Sequence, residues 1–267
     1  MTRFRSAILR LIVAVVFLGL LWWLVARWSR LPGLGQVLDT ATTLFVDDDR
    51  LARSILASSA RWALGLVLGV ASGLLIGMLC FLSHSRSRIY STCGLSIVDI
   101  MAFLRVVPII GLPAVVISVA GLSESGKTFI ISWGAAFPVW LSTYSSLIGQ
   151  DEEHLRFARA AGWTQIKRLM RVTMPSMAHN VFVGIRLAAG VAWLCVVAAE
   201  LIGIVERGWL GFGLGAELWA AMNLDRPAHA VVYMACFGIL GVLTDLLFRL
   251  LERQMFVYAF RERRAGA

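Results

Sequence analysis

Long apolar runs separated by short charged clusters limit how this chain can fold more than any other feature. A helix needs about 20 predominantly apolar residues to cross about 30 Å of hydrocarbon, and five or six runs of this kind are present. Hydrophobic residues make up 59% of the 267 residues and charged residues only 15%, against about 25% in soluble domains. We therefore predict an all-α polytopic membrane protein with about six transmembrane helices and no room for a soluble domain. The clearest runs are 11–26, 62–82, 106–122, 128–149, 187–199 with its flanks, and 228–244.

The basic residues predict how these spans are oriented. The first run follows several arginines, as a signal peptide would, but WWLVARWSR comes after it and offers no small-residue cleavage site, so we expect a retained span. Basic residues concentrate in the segments that lie inside when the N-terminus is cytoplasmic, which predicts cytoplasmic N- and C-termini and a cytoplasmic 151–175 segment. This basic side is expected to face anionic lipid head groups, and nothing in the sequence indicates nucleic acid.

Four glycines lie four residues apart within the run 62–82. At 3.6 residues per turn they form a smooth stripe on one side of a helix, which lets another helix approach closely. We predict a helix-packing role; both static packing and a sliding contact during gating remain open. The four glycines are Gly65, Gly69, Gly73 and Gly77.

The segment 121–128, GLSESGKT, matches the phosphate-binding pattern GxxxxGK[ST] letter for letter. That pattern binds nucleotide only between a buried strand and a helix of a soluble α/β domain. Here it joins two predicted spans on the predicted outer side, so we reject ATP binding at this position.

The segment 151–175, DEEHLRFARAAGWTQIKRLMRVTMP, is a polar and basic insertion between apolar runs. Apolar and small residues recur at spacings of three and four, which predicts an amphipathic helix with arginines and lysines over much of its remaining surface. Gly162 is expected to break the segment into two short helices, and Pro175 to end the second one before the next span. Such a segment either lies on the membrane surface or contacts a soluble partner.

Part of this segment resembles the EAA loop of ATP-binding-cassette (ABC) importer permeases. The sequence FARAAG at 157–162, nine further residues and VTMP at 172–175 match that loop's Glu-Ala-Ala, three residues, Gly, nine residues, Ile-x-Leu-Pro pattern in spacing. The sequence departs from the pattern at the glutamate, where Arg156 stands, and at Phe157 in place of the first alanine. With Arg156 at this position, the resemblance does not carry over a salt bridge from the family's glutamate to its ATPase.

The resemblance covers roughly residues 60–260. Further matches to the taurine, sulfonate, nitrate and bicarbonate branch of these permeases lie at 103–115, 184–203, 208–221 and 244–258. It implies a type I ABC importer permease (MetI-like) fold in the inner membrane of a bacterium. It also implies a second permease copy as a homodimer partner, two cytoplasmic ABC ATPase subunits and an extracytoplasmic substrate-binding protein. The expected organisation is an N-terminal span and extracytoplasmic linker over 1–60, a permease core over 61–260 with its coupling loop at 151–175, and a basic cytoplasmic tail at 261–267.

The predicted spans and the resemblance give two groups of candidate functional residues. Charges within spans are costly to insert, at about 2.5–3.5 kcal/mol for a central site, so they usually face protein or water. Arg105 and Arg186 are each expected to snorkel or to pair between helices, with contact to an anionic substrate as the alternative for both. Glu200 is expected to be a structural partner or gate residue. The coupling candidates are Ala158, Arg159, Gly162, Trp163 and Pro175, and the translocation-pathway candidates are Arg105, Pro108, Arg186 and Glu200.

Two other classes of function are a secondary transporter or channel and a membrane enzyme. A secondary transporter or channel independent of an ATPase would be favoured by a relay of membrane-embedded acids, and the three available (Asp99, Glu200 and Asp245) are well separated in sequence. A membrane enzyme would need a cluster of His, Asp or Glu at one depth, which the sequence does not show.

No CxxC pair or histidine ligand spacing is present, so no metal, cofactor or catalytic residue is predicted. The predicted solute is a small anion of the sulfonate, taurine, nitrate or bicarbonate type.

Overall fold

The predicted all-α architecture is confirmed in a computed structural model of the chain. The structure describes residues 19–20, 22–24, 27–28, 31–46, 49–86, 97–106, 111–120, 123–150, 152–200 and 213–256, and these ranges contain helices and turns but no strand. We number the helices from residue 34 onward as α1 (Leu34–Val46), α2 (Asp49–Arg86), α3 (Ile97–Val106), α4 (Leu112–Ala120), α5 (Glu124–Ile148), α6 (Glu152–Ala160), α7 (Gln165–Arg168), α8 (Met174–Glu200), α9 (Leu214–Asn223) and α10 (Pro227–Met255). A π-helical turn, Leu169–Thr173, joins α7 to α8.

Three helical stretches in the described part are long and apolar enough to cross a membrane: Asp49–Phe81, Met170–Glu200 and Pro227–Met255. The first begins well before the predicted run 62–82 and before the predicted core boundary at residue 61. Buried residues explain this early start, because they recur at helical spacing through the polar segment that precedes the run. These residues are Leu51, Ser54, Ala57, Ser58 and Arg61.

The predicted span 106–122 is not one continuous helix. Helix α3 ends at Val106, Gly111 lies in a turn, and α4 has nine residues, which at 1.5 Å per residue is far shorter than the hydrocarbon layer. Pro113 in the first turn of α4 gives the physical reason, since proline is tolerated there but breaks a helix that tries to run through it. Most of the predicted run 11–26, and Pro108, lie outside the described residues.

Pro175 does not end a helix, contrary to the prediction. The chain from Gln165 passes through the π-helical turn into α8, and Pro175 is the second residue of that helix. Proline lacks the N–H that would bond to the carbonyl of residue 171, and its ring crowds that carbonyl. The wider π turn immediately before the proline makes room for both effects, so the helix continues.

Helices α2 and α5 form the central contact of the fold, and they run parallel. Successive glycines of α2 lie against successively later residues of α5: Gly65 against Ile131, Gly69 against Ala135 and Gly77 against Thr143. A Cβ atom built on Gly65, Gly69, Gly73 or Gly77 would come within 2.3–2.7 Å of an atom of α5. The two backbones therefore approach more closely than any side chain at these four positions would allow.

Helix α8 packs against this pair. The rings of Trp62 on α2 and Trp193 on α8 stack with centroids 5.2 Å apart, and the Trp62 indole N–H donates to the Ala189 carbonyl at 3.0 Å. Gly184 of α8 lies against Ser142 of α5. A second apolar cluster joins α1 and α9 to the first turns of α2 and α10.

Candidate functional site

The predicted coupling segment has a specific backbone turn at its centre. Helix α6 ends in a Schellman motif: the Trp163 N–H donates to the Ala158 carbonyl at 3.1 Å, and the Gly162 N–H donates to the Arg159 carbonyl at 3.0 Å. Gly162 occupies the left-handed position of this motif with φ of +70°. A Cβ atom at Gly162 would meet nothing within 4 Å. The glycine is therefore required by backbone conformation and not by a close approach of another group.

The side chains of this segment divide into a buried and an exposed set. Ala158 is only 2% exposed, so its side chain faces the rest of the chain. Arg159 and Phe157 are exposed, Phe157 at 75%. Trp163 is half-buried beneath two cations, with Lys167 Nζ 4.9 Å and the Arg171 guanidinium carbon 5.9 Å from its ring centroid. The accessible surface of the segment is thus basic with exposed apolar residues.

A buried ion-pair network lies at the opposite end of the helical core. The Arg61 guanidinium of α2 donates to both Glu124 carboxylate oxygens at 2.7 Å and, through its remaining terminal nitrogen, to Glu200 Oε1 at 2.7 Å. Lys127 Nζ donates to Glu124 at 3.1 Å. Arg61 is 5% exposed and Glu200 is 1% exposed, so this pair is removed from solvent. One arginine therefore links α2, α5 and α8 at a single point.

The Glu200 carboxylate also fixes the start of α9. It accepts from the Gly215 N–H at 2.9 Å and from the Ser58 hydroxyl at 2.8 Å, while Ser58 Oγ accepts from the Leu214 N–H at 2.9 Å. A Cβ atom on Gly213 would lie 2.7 Å from the Glu200 carboxyl carbon, and one on Gly215 would lie 2.8 Å from the Glu200 Cβ atom. A carboxylate at a helix N-terminus is favoured by the free amides and the helix dipole. Residues 213–215 are consequently held against the end of α8.

The remaining pathway candidates are not brought together with this network among the described residues. Arg186 Nε donates to Asp245 at 2.7 Å and Arg186 Nη1 to Glu252 at 3.2 Å, which joins α8 to α10. Asp245 also pairs with Arg249, one turn later, at 2.8 Å. Arg105 is exposed in the last turn of α3.

Sequence reasoning missed Arg61, Ser58 and Glu124. Arg61 directly precedes the predicted run 62–82, and its helical spacing with Leu51 and Ser58 is the signal of a helix that extends back through the polar stretch before that run. The rejected phosphate-binding pattern contains another part of this network. Ser123 caps α5 by accepting the Gly126 N–H at 3.2 Å, and Lys127 is buried within the helix against Glu124. The residues Ser123 to Thr128 thus form a helix N-terminus and its first turns.

A cavity of about 400 Å³ lies between α4 and α5. Its lining is apolar apart from Ser125, and it includes Leu112, Val116 and Phe129. A site for an anion needs several convergent hydrogen-bond donors or cations. This cavity offers one hydroxyl, so the described residues do not make it a solute site.

Comparison with known proteins identifies relatives of the whole fold. Residues 65–257 match the family described as "Binding-protein-dependent transport system inner membrane component". SsuC of Bacillus subtilis, which bears the name of an aliphatic sulfonates transport permease, is 31% identical over 87% of this chain and 83% of its own length. The nitrate import permease protein NrtB of a Synechocystis strain is 25% identical over 93% of this chain and 90% of its own. A solved chain of the methionine ABC transporter MetNI, in an inward-facing conformation, superposes with a TM-score of 0.65 at 16% identity, covering 77% of this chain and 95% of that chain.

Proposed function

The chain belongs to the family of binding-protein-dependent transport system inner membrane components, the permease subunits of ABC importers, and on that premise we propose how it is driven and what it carries. A separate cytoplasmic ATPase docks on the segment from α6 to the π-helical turn. Two ATPase subunits, a second copy of this permease and an extracytoplasmic binding protein complete the transporter. The permease helices form the path for a small anion.

The continuity of helix from residue 165 to residue 200 carries this proposal. The exposed basic surface of the coupling segment runs through α7 and the π-helical turn directly into α8. The far end of α8 carries Glu200, which is bonded to Arg61 and to the start of α9. A displacement of the docked segment is therefore transmitted along one helix to the buried network. An ATPase that binds two arrangements of α8 with different affinity shifts the balance between them.

The solute proposal is supported by the relatives and by the exposed charge. SsuC bears the name of an aliphatic sulfonates permease and NrtB that of a nitrate permease, and both solutes are small anions. Among the predicted pathway residues, Arg186 and Glu200 are held in ion pairs, whereas Arg105 is exposed near the end of α3. We propose Arg105 as the candidate for contact with the anion and place Glu200 in the network that holds the end of the core.

The docking role is tested with a matched pair of substitutions at Gly162. A non-glycine residue in the left-handed region costs about 1–2 kcal/mol, which lowers the population of the native turn about 5–30-fold. Valine is strained there, whereas asparagine adopts this conformation more readily than other residues. We expect a P-loop ATPase to copurify with the tagged native chain and with Gly162→Asn, and to be depleted from Gly162→Val.

Both variants must elute with the native profile on size exclusion in detergent, so that loss of ATPase reports on docking. Equal ATPase recovery from Gly162→Val and Gly162→Asn would show that the turn is not needed for docking. A native chain that is folded and abundant but carries no ATPase would remove the basis for ATP coupling.

A further inference from the structure

Helix α1 has an apolar face that the rest of the described chain covers only in part. Val37, Ala41 and Leu44 pack into the cluster that includes Leu51 at the start of α2 and Tyr233 at the start of α10. This contact holds α1 against the first turns of two membrane-spanning helices. The ends of two spans define the region where the bilayer meets water, and α1 lies in that region.

The other part of the same face is exposed. Leu34, Leu38 and Phe45 are 50%, 64% and 62% exposed, and at about 100° per residue they lie within about 40° of one another around the helix. This exposed stripe directly adjoins the covered stripe. The polar residues Gln36, Asp39 and Thr43 lie on the opposite side, and all three are exposed. The apolar face of α1 is therefore wider than the part that packs against the rest of the described chain.

The residues before α1 also indicate that α1 lies where the bilayer meets water. The Trp22 indole N–H donates to the Pro32 carbonyl at 3.2 Å, which ties a tryptophan to the segment immediately before α1. Trp23 and Trp28 are 55% and 85% exposed. Tryptophan is enriched at membrane–water interfaces, where its ring is apolar and its N–H is polar. These three side chains mark the level at which α1 begins.

We propose that α1 is an interfacial helix whose exposed stripe binds phospholipid. Leu34, Leu38 and Phe45 lie among the upper parts of the acyl chains, and the side with Asp39 faces the head groups and water. The exposed stripe carries no hydrogen-bonding side chain, which suits acyl chains, whereas protein interfaces carry about one hydrogen bond per 100–200 Å². On the adjoining span α2, Ile55 packs into the same cluster as α1, and the next residue, Leu56, is 63% exposed. Lipid thereby covers the half of α1 that the protein leaves open.

Photocrosslinking in the native membrane tests this proposal. Phe45→p-benzoyl-phenylalanine is a near-isosteric change, and Leu38→p-benzoyl-phenylalanine is a second probe of the same stripe. Thr43 provides the matched position on the polar side, and Leu243, which is 56% exposed on the span α10, provides the positive control. After irradiation, intact-mass analysis of the purified chain distinguishes a phospholipid adduct from a crosslinked polypeptide.

We expect phospholipid adducts at positions 45, 38 and 243 and none above background at position 43. A crosslink from position 45 or 38 to a polypeptide, whether a second copy of the chain or a binding protein, would overturn the proposal. Lack of an adduct at both stripe positions while position 243 gives one would also overturn it, as would equal adduct yields at positions 43 and 45. Each labelled chain is first required to show the native size-exclusion profile.

Discussion

We expect Arg61→Met and Glu200→Met each to destabilise the protein by about 3–5 kcal/mol, because each leaves an uncompensated charge in a buried group of charged side chains. The charged groups Arg61, Glu124, Lys127 and Glu200 sum to zero. Removing Arg61 leaves this group with a net charge of −1, and removing Glu200 leaves it at +1. Loss of Glu200 also leaves the Gly215 N–H without its acceptor. Unfolding in detergent, followed by tryptophan fluorescence or circular dichroism, measures the change.

The double variant Arg61→Met/Glu200→Met is the decisive control for this prediction. It restores neutrality, because Glu124 keeps its contact with Lys127. Replacement of both partners of a buried pair by apolar residues is much less costly than removal of one. The double variant should therefore lose clearly less stability than the sum of the two single losses. Additive losses in the cycle would show that Arg61 and Glu200 do not act as a pair.

The exposed pair of Arg53 with Asp49, 3.6 Å apart, serves as the surface comparison, and Asp49→Asn should leave stability unchanged.

Gly73→Ala is expected to destabilise the core by about 1–3 kcal/mol through overpacking. The new Cβ atom would lie 2.6 Å from the Ala136 carbonyl oxygen and 3.1 Å from the Trp140 backbone nitrogen. Backbone atoms of a helix cannot rotate away as a side chain can, so α2 and α5 must separate. The same unfolding measurement detects the loss.

Gly190→Ala in α8 is the matched control. A Cβ atom at Gly190 meets nothing within 4 Å, and alanine is favoured over glycine in a helix interior by up to about 1 kcal/mol. This variant should be neutral or slightly stabilising. If Gly73→Ala and Gly190→Ala change the free energy of unfolding equally, the close contact of α2 with α5 does not require glycine at position 73.

The features that sequence predicted well are those with a strong local signal. Uniform apolar runs predicted the helical, membrane-embedded class, and the EAA-like spacing predicted the family. The turn at Gly162 was placed correctly because glycine interrupts a strong helical pattern. The reason for glycine at this position differs from the predicted one. The structure shows that Gly162 occupies the left-handed position of a Schellman motif, with open space around it.

The features that sequence missed depend on contacts between distant residues. Arg61 and Glu200 are 139 positions apart, and nothing local to either indicates that they share a hydrogen bond. The prediction that Pro175 ends a helix was wrong. Proline usually ends a helix, and the π-helical turn that precedes it here cannot be predicted from the sequence alone. The division of 106–122 at Gly111 and Pro113 was missed because hydropathy averages over the turn.

Solute uptake into proteoliposomes tests the central claim, that a separate ATPase drives this permease. The copurified complex and the purified chain alone are reconstituted in parallel, each with internal ATP or ADP and with a binding protein from the same cells outside. Radiolabelled ethanesulfonate and nitrate are the two probes. We expect at least one probe to accumulate against its gradient with the complex and ATP, and neither to enter with ADP or with the chain alone. Equilibration of a probe through the purified chain, independent of ATP, would contradict the account and identify a carrier or channel that needs no ATPase.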